Sequence, residues 1–391
     1  MAGGGGGTWW KWGLPAGIIV VALAVAAERA GVHQPILVNA LLAIGGLVTI
    51  AGSCEVLILA SGGLAGQMRW NDYVTGTIAG LASNVPEVVM IGFVVAADVR
   101  VAFVVTLLTL HINALVFSIF CVLMPRDEHG HARLPRAICL LGTDMLAFAA
   151  GLIITLGFLM VSMASFGTGA HAGEGLGTWD MVAIAVALLG VEVIYVTGLV
   201  RRFSGKSGEP EKDHAPAPDQ ARAKMSWGAT LGFGALGAVG SLIGGHAVGD
   251  FADHLVIYLS SEGVSEMIGA ILIAFLAGAA SYILVTSAHL KGKSDLALSN
   301  VFGAMVQVPF VVLPAVLLFA AILAPLGVVP TLPHGGILAI DLETVSVVLF
   351  AFPTLLMLWK SISDDGSVNR LETATMVGLF GLVLYFLAKH G

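Results

Sequence analysis

The chain has 391 residues, 57% of them hydrophobic and 11% charged, with a net charge of −7 and a mean hydropathy of +0.94. So little charge cannot cover a soluble chain of this length, and runs of about 20 apolar residues recur that match a hydrocarbon core of roughly 30 Å. These numbers define a polytopic all-α membrane protein and exclude an outer-membrane barrel, whose period-2 alternation is absent. The net charge says little about partners, because orientation in a membrane follows the positions of Lys and Arg. Cys54, Cys121 and Cys139 show no paired spacing, which argues against a disulfide framework or metal cluster. No basic patch with interleaved aromatics occurs, so nucleic acid is not an expected partner.

In chain order, MAGGGGGTWWKWG is Gly-rich with an interfacial tryptophan cluster and leads into an apolar segment around residues 14–27. That segment has the character of a signal-peptide core or of a first membrane helix; we expect a retained extra helix within a 1–34 N-terminal region. Ten further spans are predicted at 35–65, 72–97, 101–123, 137–163, 178–200, 227–259, 265–289, 296–326, 337–359 and 372–388. The first and sixth of these ten are long and should tilt or bend.

Between the fifth and sixth lies RRFSGKSGEPEKDHAPAPDQARAK, whose charge and Pro, Gly and Ala content read as a solvated linker over 201–226. Its basic residues place it in the cytoplasm of a bacterial inner membrane. Every other Lys and Arg then falls on the linker's side except Arg29, Arg100 and Lys389, an independent test of the span count. Five spans precede the linker and five follow it. Residues 35–200 and 227–391 therefore enter the membrane from opposite sides, as inverted-topology repeats do.

The stretch GLASNVPEVV, residues 80–89, places a proline and an acid inside a span. Pro86 lacks an N–H and should open the helix near residue 82. Ser83 and Glu87 are four apart and share a face, with Asn84 one position round. A hydroxyl, an amide oxygen and a carboxylate beside a broken helix suit Na⁺ or Ca²⁺. A charge in mid-span costs at least about 2.5–3.5 kcal/mol on insertion scales, and the alternative is a proline kink with a protonated structural Glu.

At these residues a resemblance becomes usable. SNVPEVV is similar to the GTSLPEL-type signature of the first repeat in the calcium/cation antiporter superfamily, the sodium/calcium exchanger-like proteins. GVSEMIGAILIAFLAGAASYI (263–283) and KGKSDLALSNVFGAMVQ (291–307) resemble the family's second repeat, with KGKSDLALSNVFG the most specific match. The resemblance implies a midplane cation site built from both repeats, with Glu87 as the first repeat's glutamate. It also implies that the second glutamate falls at Ser281, where AGAASYI stands in place of GTSLPEL. In that register Asn113 pairs with Gln307, each one residue from the family's partner-helix position, and His111 takes the place of an asparagine. The implied cation-binding set is Glu87, Ser83, Asn84, Asn113, Ser281 and Gln307.

One carboxylate suits a monovalent cation or a proton better than tightly held Ca²⁺. His111 near Glu87 would allow a proton relay, the other reading being a core histidine bonded to a neighbouring carbonyl. The resemblance, in which an acid is common at that point of the long helices, implies gating or structural pairing rather than ion ligation for Glu55 and Asp253. Asp144 and Glu192 are read as pairing with Thr or backbone groups, or as lining a second aqueous passage. The function expected is secondary active antiport of Na⁺, H⁺ or Ca²⁺ by alternating access, with membrane lipid and inorganic cations as partners and no resident cofactor. The alternative is a non-transporting exchanger-fold scaffold or ion sensor, motivated by the missing second glutamate. A membrane enzyme is not expected, since HExxH, GxSxG and P-loop motifs are lacking.

Overall fold

The structure, a computed structural model, describes residues 8–31, 35–68, 78, 80–82, 84–134, 138–166, 175–203, 225–290, 294–332, 335–364 and 366–390. The apolar runs form α1 Trp10–Arg29, α2 Pro35–Met68, α3 Val85–Ala97, α4 Val99–Leu123, α5 Thr143–Phe166 and α6 Thr178–Phe203. After the linker come α7 Trp227–Ser261, α8 Glu266–Leu290, α9 Ser294–Gln307, α10 Leu313–Leu323, α11 Leu342–Ser363 and α12 Arg370–His390. Among the described residues ten helices are long and apolar enough to cross a membrane, the stretch 301–323 counting as one; α8 adds a shorter described apolar stretch, Met267–Ala279. The chain is an integral multi-pass membrane protein.

Helices arise because hydrocarbon offers backbone N–H and C=O groups no water to bond. Polar side chains within the spans fold back for the same reason. Thr49 donates to the Gly45 carbonyl (2.7 Å), Ser118 to Ala114 (2.7 Å) and Ser241 to Gly237 (2.7 Å). Asp98 caps α4 by accepting from the Val101 N–H (3.0 Å), and an Asp341–Thr344 capping box opens α11.

Two compact units form, one from Met1–Met90 with Gly190–Val248, the other from Ile91–Leu189 with Gly249–Gly391. Neither is a sequence half; each draws on residues from before and after the linker.

In the first unit α1 folds back along α2, because glycines remove the side chains that would hold the helices apart. A Cβ at Gly17 would lie 2.6 Å from the Thr49 nitrogen, and one at Gly52 3.0 Å from the Leu14 backbone. Helix α7 lies against α2 in the same way: Gly63, Leu57, Ser53 and Gly46 of α2 meet Thr230, Gly237, Gly240 and Gly244 of α7. Positions fall along α2 as they rise along α7, so these two long helices are antiparallel. They open the two halves, and their opposed directions are the inversion expected from the linker's position.

The second unit centres on α4, whose residues 102–114 are all buried. It meets α8 through a Phe120–His289 edge contact (ring centroids 5.2 Å apart) and α9 through Phe117–Phe302 (5.9 Å). Three tertiary links pair loops that charge sorting had placed on one side of the membrane. Strand β1 (Ala132–Arg133) pairs antiparallel with β2 (Ser367–Val368). Leu176 donates to the Leu338 carbonyl (2.9 Å). Arg100 forms ion pairs with Asp341 (2.5 Å) and Glu343, which offsets the charge of one of the three basic residues on the far side from the linker.

Beside β1, the His131 backbone N–H chiefly, with that of His129, holds the Asp127 carboxyl below the usual carboxylate range. A depressed carboxylate stabilises the folded turn fully above its unfolded value of about 3.9 and stops doing so as pH falls through the folded value. Acidification below about pH 4 should therefore lower the protection of the His129 and His131 amides, read by mass spectrometry as exchange relative to the intrinsic rate at the same pH. Unchanged protection would mean that the carboxylate does not hold the turn.

Candidate functional site

The helix break expected at GLASNVPEVV is present. Residues 80–82 are helical, Asn84 is a turn, and α3 restarts at Val85 with Pro86 in its first turn, where the missing N–H costs nothing. Asn84 is buried; its N–H donates to the Leu81 carbonyl (3.2 Å) and its own carbonyl accepts from Val88 (2.9 Å).

Glu87 thus lies in the first turn of a new helix, whose free backbone groups are N–H donors. The Glu87 side chain is 7% exposed, and its Oε1 has no hydrogen-bond partner among the described residues. Ser83 lies outside the described residues.

In the second unit Asn113 and His111, both buried on α4, turn to different neighbours. The Asn113 Oδ1 accepts from the Tyr282 hydroxyl of α8 (2.9 Å). His111 faces α11, with Nδ1 3.1 Å from the Thr354 hydroxyl and Nε2 3.4 Å from the Val347 carbonyl. Thr354 also donates to the Phe350 carbonyl (3.0 Å). A neutral His111 donating to Val347 from Nε2 would accept at Nδ1 only if Thr354 released Phe350.

Ser281 is within α8, one residue before Tyr282. Gln307, buried, is the last residue of α9, where the span opens into a π-helical turn over Val308–Val312 that includes Pro309. The second half's helix irregularity therefore sits on the partner span beside Gln307, and α8 runs unbroken past Ser281.

The remaining acids divide. Glu55 accepts from the Trp10 backbone N–H (2.8 Å) and so serves the N-terminal turn of α1, a structural pairing. Glu192 is buried with neither carboxylate oxygen bonded among the described residues, so the Thr or backbone partner expected for it is not found there. Asp144 and Asp253 are exposed. Asp144 occupies the first turn of its α-helix, which starts at Thr143 after a π turn at Ile138–Gly142. Among the described residues no three His, Cys, Asp or Glu side chains gather as a metal-ligand group, and the three cysteines are free.

Tyr282 and Thr354 escaped the sequence reading. The signal for Tyr282 was a lone phenol inside a span of small residues, since a buried hydroxyl needs a partner. Its ring lies over Gly278, one turn earlier, in the space a Cβ would take. Gly278→Ala should push the ring off Asn113, and Tyr282→Phe should remove the bond without moving the ring. Each is expected to cost about 0.6–1.7 kcal/mol in a melting assay, as polar pairs within membranes do. No loss in Tyr282→Phe would show the bond to be idle.

Residues 229–389 match the model of the sodium/calcium exchanger protein family. The fold is that of solved exchangers. The H⁺/Ca²⁺ exchanger CAX superposes with a TM-score of 0.67 at 13% identity, covering 98% of this chain and 92% of that one. Native YfkE gives 0.59 at 17% identity, with 97% and 99% covered. The sodium-calcium exchanger NCX_Mj gives 0.53 at 14% identity, with 88% and 98% covered. No curated relative matches in sequence. Fold and helix order define an exchanger-type membrane protein. The family match covers the second half of the chain alone, and the structural likeness extends the exchanger fold over the rest.

Proposed function

We propose that the chain is a secondary active cation antiporter, exchanging Na⁺, H⁺ or Ca²⁺ by alternating access. The observation that carries this reading is Glu87: a buried carboxylate with one bare oxygen, at a helix restart inside a membrane span. A bare buried carboxylate is costly, and spans keep such groups where an ion or proton visits them. Asn84 supplies a neighbouring amide. By the resemblance of the two repeats to the exchanger motifs, Ser83, Asn113, Ser281 and Gln307 are the further neutral residues we assign to the same ion. His111 is retained as the proton-relay candidate, since the Thr354 hydroxyl beside it has two acceptors to choose between. Glu192 and Asp253 are assigned to gating.

A single acid, with no metal-ligand cluster among the described residues, supports a monovalent cation, a proton or weakly held Ca²⁺ over tightly bound Ca²⁺. CAX is an H⁺/Ca²⁺ exchanger and NCX_Mj a sodium-calcium exchanger. Both couplings belong in the test. The linker is assigned to the cytoplasm on the distribution of Lys and Arg.

Reconstitution into proteoliposomes with an imposed Na⁺ or pH gradient should give counter-flux of the second cation. Absence of flux under every pairing of Na⁺, H⁺ and Ca²⁺, with cation binding still raising the melting temperature, would favour the ion-sensor alternative; Ser281 in the place of an acid is what supports that reading.

A further inference from the structure

On the face that carries β1 and β2, an open pocket of about 570 Å³ lies between the end of α4 and the start of α12. It is lined by Val122, Met124, Arg126, Arg370, Thr373 and Ala374. Cation exchange gives no use for two arginines here.

Arg126 is held rigidly. Its Nη1 donates to the carbonyls of Gly130 (2.9 Å) and Val368 (3.4 Å), and its Nη2 to the Cys121 carbonyl (3.3 Å) and the Thr373 hydroxyl (3.4 Å). All four acceptors are neutral, so the guanidinium is positioned without being neutralised. Arg370 is exposed, and among the described residues neither arginine has an ion-pair partner. The nearby acids are engaged elsewhere. Asp127 accepts from His129 and His131, Glu372 accepts from the Asn369 N–H (2.8 Å), and Asp364 pairs with Lys360. The pocket wall therefore carries two arginines that form no ion pair among the described residues. Its rim is greasy: Val122, Leu123 and Leu371 are 52%, 60% and 76% exposed at helix ends that meet the membrane interface.

We propose that this pocket binds the phosphate headgroup of an anionic membrane phospholipid, with Arg126 and Arg370 on the phosphate and the acyl chains against Val122 and Leu371. Fixed cations at the end of a span attract anionic headgroups, and arginine's planar fork matches phosphate oxygens. The apolar rim selects a lipid over a soluble anion.

The test is calorimetric titration of the full chain in neutral detergent with dihexanoyl phosphatidylglycerol, dihexanoyl phosphatidylcholine and inorganic phosphate. Saturable binding of phosphatidylglycerol alone is expected. Arg370→Gln, which breaks no bond in the fold, should weaken it about five-fold. Ala374→Trp, which fills the pocket without changing charge, should abolish it. Equal binding of phosphatidylcholine, or binding indifferent to both substitutions, would overturn the proposal. Inorganic phosphate binding as tightly as phosphatidylglycerol would assign a free anion in place of a lipid.

Discussion

Glu87→Gln is expected to cut Na⁺-, H⁺- and Ca²⁺-coupled flux at least about tenfold in proteoliposomes, because the amide keeps the shape of the side chain and loses its charge. A charged acceptor is worth roughly 1.5–3 kcal/mol to a bound partner, and 1.4 kcal/mol is a factor of ten. The same substitution should leave the melting temperature unchanged or higher, since a buried neutral amide costs less than a buried carboxylate with a bare oxygen. That combination separates an ion site from a structural acid. Unchanged flux would remove Glu87 from the site, and with it the mechanism. His111→Leu adds a second discrimination: a relay requires H⁺-coupled flux to fall while Na⁺-coupled flux persists. If His111 only braces α11, coupling stays intact, because Thr354 keeps its bond to Phe350 and the protein should remain folded.

The second large effect is expected where α2 and α7 touch. A Cβ at Gly244 would lie 2.9 Å from the Gly46 carbonyl oxygen, and one at Gly46 would lie 2.7 Å from Val248. The obstacle to Gly244 is backbone and cannot rotate away, so Gly244→Leu must separate the two helices. Overpacking of this kind costs typically 1–3 kcal/mol, and more where no side chain can yield. The variant should melt well below the parent or fail to run as a single species in detergent. Gly198→Ala and Gly232→Ala are the controls: nothing lies within 4 Å of a Cβ there, and alanine should be neutral or stabilising by up to about 1 kcal/mol. If Gly244→Leu behaved like those controls, the glycine crossing would not hold the pair together.

The span count, the long helices and the inversion were legible in the sequence, because the bilayer reads hydropathy and the placement of Lys and Arg over runs of about 20 residues. The break at Pro86 was legible too, since proline acts on its own turn. Where the helix resumes was not: only the coordinates put that at Val85, which sets Glu87 in a first turn. Asn113 and His111 looked like neighbours with a common task. Two residues apart on a helix, they diverge by about 200°, and the structure sends one to Tyr282 and the other to Thr354.

By itself, the amino-acid order determined what each segment must do in a membrane: which stretches cross, and which acids are too costly to be incidental. Those are local transfer energies, summed along the chain and independent of neighbours. Tertiary structure alone decided which polar groups meet and which charges stay bare. Pairing across helices depends on rotation and depth, which glycine contacts such as Gly46 with Gly244 set. Glu55 is tied to the first turn of α1, Glu87 keeps an unbonded oxygen, and Arg126 is fixed in place by neutral acceptors alone.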